Sequence, residues 1–144
     1  MAITQAICSS AKQELLSGVH NFSSSGGDTF KIALYTSSAT LSSATTVYSS
    51  TNEVVGVGYT AGGGTLVTET GSPFLSGTAA YIDFANFTWS TATISAAGAL
   101  IYNASKSNKA VLVLNFGGTY SSTAGNFTIS FPAATSSTAV LILS

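Results

Sequence analysis

Ala110-Val111-Leu112-Val113-Leu114 and Ala139-Val140-Leu141-Ile142-Leu143 are the two runs on which the reading of this chain turns. Each has the length of a strand and is rich in branched aliphatic side chains. Neither shows the polar alternation of a strand with one wet face. Both faces are therefore expected to be covered, one by the domain core and the other by a helix, a loop or another subunit. A buried parallel sheet has the same signature, but the helices that its crossovers need are missing. An antiparallel sheet remains.

Working outward, Phe30-Lys31-Ile32-Ala33-Leu34-Tyr35 alternates, with Phe30, Ile32 and Leu34 on one face. Residues 36–46, rich in Ser, Thr and Ala, read as a loop or short edge segment. Residues 54–60 and 65–70 read as two strands around the turn Ala61-Gly62-Gly63-Gly64, and Gly56 and Gly58 imply a bulge or the close approach of another backbone. Past a loop containing Pro73, the strands Ala79–Trp89 and Ala92–Asn103 flank a short connection at Ser90-Thr91. Ala110–Phe116, Asn126–Phe131 and Ala139–Leu143 complete about eight strands at the spacing of a β-sandwich or barrel. One helix is expected, over residues 4–20, with Thr4 as N-cap and Ile7, Ala11, Leu15, Leu16 and Val19 on its apolar side. The expected architecture is mainly β: an antiparallel sandwich, jelly-roll or immunoglobulin-like, with one N-terminal α-helix. Its organisation reads as a helical segment 1–22, a Gly/Ser linker 23–29 and a single β-domain 30–144.

Composition narrows the function classes. Of 144 residues only 6% are charged, with four Lys, no Arg, five acids and one His, for a net charge of −1. An ordinary domain carries about 25% charged residues. Four scattered lysines cannot assemble a phosphate-binding footprint or a polybasic membrane anchor, so neither nucleic acid nor membrane is an expected partner. High apolar content at low net charge argues against disorder. The N-terminal residues lack the basic and apolar regions of a signal peptide, and no run approaches the 18 apolar residues of a membrane helix.

Chemistry-bearing residues are few. Cys8 has no second cysteine to pair with and reads as a small buried apolar residue. His20, the only histidine, falls at the expected helix end, exposed or meeting the helix dipole. Asp83 stands alone inside the apolar stretch Tyr81-Ile82-Asp83-Phe84. An edge position, a turn-directed hydrogen bond or a polar contact between subunits accounts for it better than catalysis. Glu53, Glu69 and Asp83 lie on or beside strands and are the acids a glycosidase pair would draw on. One His, one Cys and unclustered acids offer no zinc or calcium site, and no phosphate-binding loop follows the Gly run. No catalytic residue, cofactor or metal is expected. Most aromatic residues fit core or cross-strand positions; Trp89, beside the Ser90-Thr91 turn, is the best candidate for an exposed anchor.

Several motifs carry a resemblance. They are Gln13–His20, Phe30–Thr36, Asn52-Glu53-Val54 with Gly58–Gly63, and Ile82-Asp83-Phe84 with Thr88–Ile94. Gly98–Asn103, Phe116-Gly117-Gly118 and Phe127–Pro132 continue it. Together they resemble a family of small virion structural proteins of tailed bacteriophages, including those of cyanobacteria, over nearly the whole chain. The resemblance implies a particle component made in the host cytoplasm, with no catalytic residues to carry over. The most economical role in that setting is a head decoration (cement) protein on the capsid surface, bound to the major capsid protein or other virion proteins. Nearly neutral copies avoid like-charge repulsion in an array, and closed homo-oligomers, trimers above all, match local capsid symmetry. Ile3, Ile7, Leu15 and Leu16 of the N-terminal segment are the expected interface, together with Trp89; the C-terminal strand is the second choice. Two alternatives belong to other classes. A neck, tail or fibre-associated protein that recognises host glycans requires an exposed aromatic patch at Trp89. A polysaccharide hydrolase requires Asp83 and Glu53 in one cleft.

Overall fold

The computed structural model describes residues 2–144. The chain is mainly β, with two antiparallel sheets and one short helix. Its strands are β1 (Ala6–Ile7), β2 (Phe30–Tyr35), β3 (Gly64–Thr65), β4 (Phe74–Ser76), β5 (Ala79–Ile82), β6 (Phe87–Asn103), β7 (Lys109–Ile129) and β8 (Leu141–Leu143). The helix is α1 (Ser9–Leu16). The larger sheet runs β1-β7-β6-β2-β3 and the smaller β4-β5-β8. They share one apolar core as an open sandwich, not a closed barrel.

The long β6–β7 hairpin is the spine. Its ladder runs from Asn103 opposite Lys109 out to Phe87 opposite Ile129, with register shifts on the way. Near the hairpin turn the strands are buried on both faces: Ala96–Asn103 on β6 and Ala110–Val113 on β7. The chain supplies the second cover itself, as α1 packs on β7 and buries Ala11. Cys8 is fully buried where β1 meets β7, and burial pushes its thiol up to about 11.

The expected helix over 4–20 is shorter, and Thr4 does not cap it. Ala6 and Ile7 pair with Val113 and Leu112 as an edge strand, so the helix starts only after Cys8. A ladder on a buried strand has overridden the helical spacing of the apolar residues. The N-terminal segment is thereby part of the larger sheet. β2 matches its expected span, but Ala33 and Tyr35 are buried along with Phe30, Ile32 and Leu34. Ala39 and Leu41 of the Ser/Thr/Ala-rich segment after β2 are buried, and Glu53 and Val54 run along the edge of β2, with the Val54 N–H donating to the Leu34 carbonyl at 2.9 Å.

Residues 54–60 and 65–70 do not form a hairpin. Only Gly64–Thr65 joins the sheet, beside Ile32 and Lys31, and Val57 makes a lone bridge to Thr93. Gly56 and Gly58 do admit another backbone. A Cβ on Gly58, whose φ is +83°, would stand 2.8 Å from Ala92 Cα, and one on Gly56 would collide with the Thr93 carbonyl. The expected strand Ala79–Trp89 is broken after Ile82. Conversely, the break foreseen at Ser90-Thr91 is only a bulge, with Thr91 at φ 50° inside a continuous β6. The stretches Ala110–Phe116 and Asn126–Phe131 likewise belong largely to one strand, β7.

Candidate interface

The two apolar runs that set the fold meet different fates. Ala110–Val113 is covered on both faces, whereas in the second run only Leu141 is buried and Leu143 is 56% exposed. The cause is the register of the small sheet. Leu75 lies opposite Ala80, and Ala80 opposite Leu143, so these three form one row on one face. Ile82 and Leu141 form the next row on that face and enter the core. Beyond the core the same apolar face runs on, with Leu75 77% exposed.

A groove of about 390 Å³ opens there, between the small sheet and the chain leaving α1. Leu15, Gly18, His20, Asn21 and Phe22 form one wall; Pro73, Ala80, Tyr81, Ile82, Leu141 and Leu143 form the other. Leu16, on the last turn of α1, is 92% exposed. The arrangement can receive an apolar side chain or segment, and burial of such surface stabilises a contact by about 25 cal/mol per Å².

A polar chain runs through the groove wall. Asn103 Nδ2 donates to Asp28 Oδ2 at 2.8 Å and to His20 Nδ1 at 2.9 Å, while its Oδ1 accepts the Ser105 N–H at 3.0 Å. Those bonds orient the amide, and the amide selects the imidazole tautomer. Nδ1 accepts, so Nε2 carries the proton toward Glu14 Oε1 at 3.3 Å. Glu14 Oε2 holds Lys109 Nζ at 2.6 Å, and Asp28 Oδ1 faces Lys106 Nζ at 3.8 Å. Burial alone would raise both carboxyls. Bonds from Lys109 and His20 outweigh it at Glu14, and the Asn21 N–H and Asn103 outweigh it at Asp28, so both lie below the ordinary carboxylate range. His20 is therefore buried, not the exposed helix-end residue expected. One ring nitrogen meets a carboxylate and the other an amide, which is a clamp between α1 and the β6–β7 turn.

Glu53 and Asp83 occupy different environments. Glu53 is 7% exposed and accepts the Tyr48 and Tyr59 hydroxyls at 2.6 Å each and the Gly62 N–H at 2.7 Å. The Tyr102 hydroxyl donates to the Gly62 carbonyl, so the carboxylate and one tyrosine hold the Gly loop. Asp83 is 1% exposed. Its Oδ1 accepts the Phe84 N–H at 2.8 Å and Oδ2 has no partner. The bond is local, to the next residue, where the chain leaves β5 and Phe84 bridges to Thr68. Burial pushes the Asp83 carboxyl up, the Phe84 N–H opposes that, and the charge of Glu69 adds to it. Among the described residues no three of His, Cys, Asp and Glu gather as metal ligands.

The expected interface residues divide. Leu15 lines the groove, and Leu16 is exposed at the end of α1 without lining it. Ile7 is half-buried in β1, and Ile3 packs on β6, where a Cβ on Gly98 would stand 2.8 Å from its Cδ1. Trp89 is not an exposed anchor: it is 6% exposed and packs against Phe87 at 4.6 Å, Tyr59 at 5.7 Å and Phe127 at 6.3 Å between ring centroids. The bulge lets β6 continue past it, so the ring stays inside. Sequence reasoning missed Leu75 and Tyr81, whose placement follows from the pairing of β4, β5 and β8. Compared with known protein families, curated proteins and solved structures, the chain matches none.

Proposed function

We propose that this chain is a non-enzymatic structural protein of a bacteriophage virion, a head decoration (cement) protein that docks on the major capsid protein lattice. The observation that carries the reading is the bare apolar row Leu75–Ala80–Leu143 and its groove on a chain with so little charge. A dispersed monomer usually keeps such surface small and surrounds it with charge. A subunit that is docked in many copies has less need of either. The resemblance of the sequence motifs to small phage virion proteins supplies the setting. Burial of Trp89 takes away the aromatic patch that a glycan-binding tail or fibre role would use.

The test is rebinding to heads of the encoding phage stripped of this protein. Wild-type protein is expected to bind at a copy number in the hundreds, in keeping with the lattice. Leu143→Glu and Leu75→Glu, both at exposed positions, are expected to abolish binding without unfolding the protein. Copies confined to the neck or tail, or full binding by both variants, would overturn the reading.

A further inference from the structure

We propose that the free edge of β7 at Asn126–Ile129, continued by Ser130 just past its end, pairs antiparallel with the same edge of a second copy, making a two-fold dimer through a continuous sheet. This surface is separate from the apolar groove, so the inference stands apart from the docking partner.

One side of this stretch is occupied: Phe127, Thr128 and Ile129 lie opposite Trp89, Thr88 and Phe87 of β6. Among the described residues, the other side of β7 has a strand partner only near its start, where β1 meets Leu112 and Val113. A second groove, of about 370 Å³, is lined by this stretch. It is touched by five consecutive residues, Asn126 to Ser130, and by none from β6. Consecutive strand residues point to alternate faces, so a groove that all five touch runs along the backbone edge. Phe116 and Tyr120 form its far wall, their rings 6.5 Å apart, with Tyr120 57% exposed. Hydrogen-bonding backbone beside an apolar wall suits an added β-strand.

Two features select a second copy as that strand. Asn126-Phe127-Thr128-Ile129-Ser130 alternates symmetrically about Thr128. Antiparallel pairing centred there sets Thr128 against Thr128, Asn126 against Ser130, and Phe127 against Ile129. Exposed polar groups then meet polar groups, and the buried apolar row continues across the junction. In addition, no charged residue occurs from Ala110 to Ser144. Two-fold pairing brings like charges together wherever an edge carries them, which is how natural edges are protected. This one carries none. The resulting assembly is a dimer, where lattice symmetry had suggested a trimer.

Light scattering coupled to size exclusion on the free protein tests it. Wild type is expected at dimer mass. Thr128→Lys and Thr128→Glu each place two like charges across the axis and are expected at monomer mass. Mixed in equal amounts, the two variants are expected to recover the dimer, which also shows that both fold. Monomeric or trimeric wild type, a dimeric single variant, or a mixture that stays monomeric would overturn the proposal. None of these outcomes bears on head binding through Leu75 and Leu143.

Discussion

Replacing Glu53 by Ala removes the acceptor of three hydrogen bonds at a site only 7% exposed. Bonds to a charged group contribute about 1.5–3 kcal/mol each, and a buried donor left without a partner costs about 1–3 kcal/mol. The three donors differ. Gly62 N–H is buried and loses its acceptor, whereas half-buried Tyr48 can turn to water. The Tyr59 hydroxyl still accepts the Leu34 N–H at 2.8 Å but loses its own acceptor. Relief of the carboxylate's desolvation offsets part of the loss. The expected net destabilisation is about 3 kcal/mol, roughly 10 °C in Tm for a chain of this length. Glu53→Gln keeps one oxygen and is expected to lose about half as much. Urea unfolding of a double-mutant cycle is the decisive assay. Tyr59→Phe loses the Leu34 N–H bond in both backgrounds and the Glu53 bond only in the native one, so it should cost about 1 kcal/mol more there than beside Glu53→Ala. An Ala variant within about 0.5 kcal/mol of wild type, or an unchanged cost of Tyr59→Phe in both backgrounds, would refute the role given to this carboxylate.

Other outcomes follow from the same geometry. Trp89→Ala should destabilise by about 3–5 kcal/mol, and the lone tryptophan should resist iodide quenching; ready quenching would contradict its burial. Asp83 has a folded pKa above its ordinary 3.8, so its contribution to stability declines as pH rises through that value toward the folded one. Asp83→Asn should therefore exceed wild type in stability at neutral pH, with the gain disappearing in acid, as denaturant titrations across pH would read. Glu14 has the opposite sign: its lowered pKa gives stability that is complete above about 4.5 and lost as pH falls toward the folded value. Glu14→Gln should thus cost stability at neutral pH and little in strong acid. Gly58→Val forces a branched side chain to φ +83° beside Ala92 and should destabilise by about 2 kcal/mol or more in urea titrations.

Legibility of the fold depended on whether a residue's fate was local. Phe30–Tyr35 has strand propensity and a strand environment, so its span could be read directly. The absence of alternation in Ala110–Val113 announced burial on both faces. The residues at 4–7 had helical spacing but lay beside a strand edge, and the ladder prevailed. Gly56 and Gly58 signalled a close backbone without naming it as that of β6. Trp89 stood next to a real irregularity at Thr91, yet nothing local distinguishes a bulge from a chain reversal.

The class of the protein is written along the chain: β-rich, antiparallel, nearly uncharged, with more apolar strand surface than one core absorbs. Those properties follow from side-chain chemistry and period, which each short segment carries within itself. Where the excess lies depends on the folded arrangement. Pairing register, set between β4, β5 and β8, puts Leu75 and Leu143 on one bare row while α1 closes over β7. Register joins residues far apart in the chain, and burial is a property of what ends up opposite; no single segment encodes either.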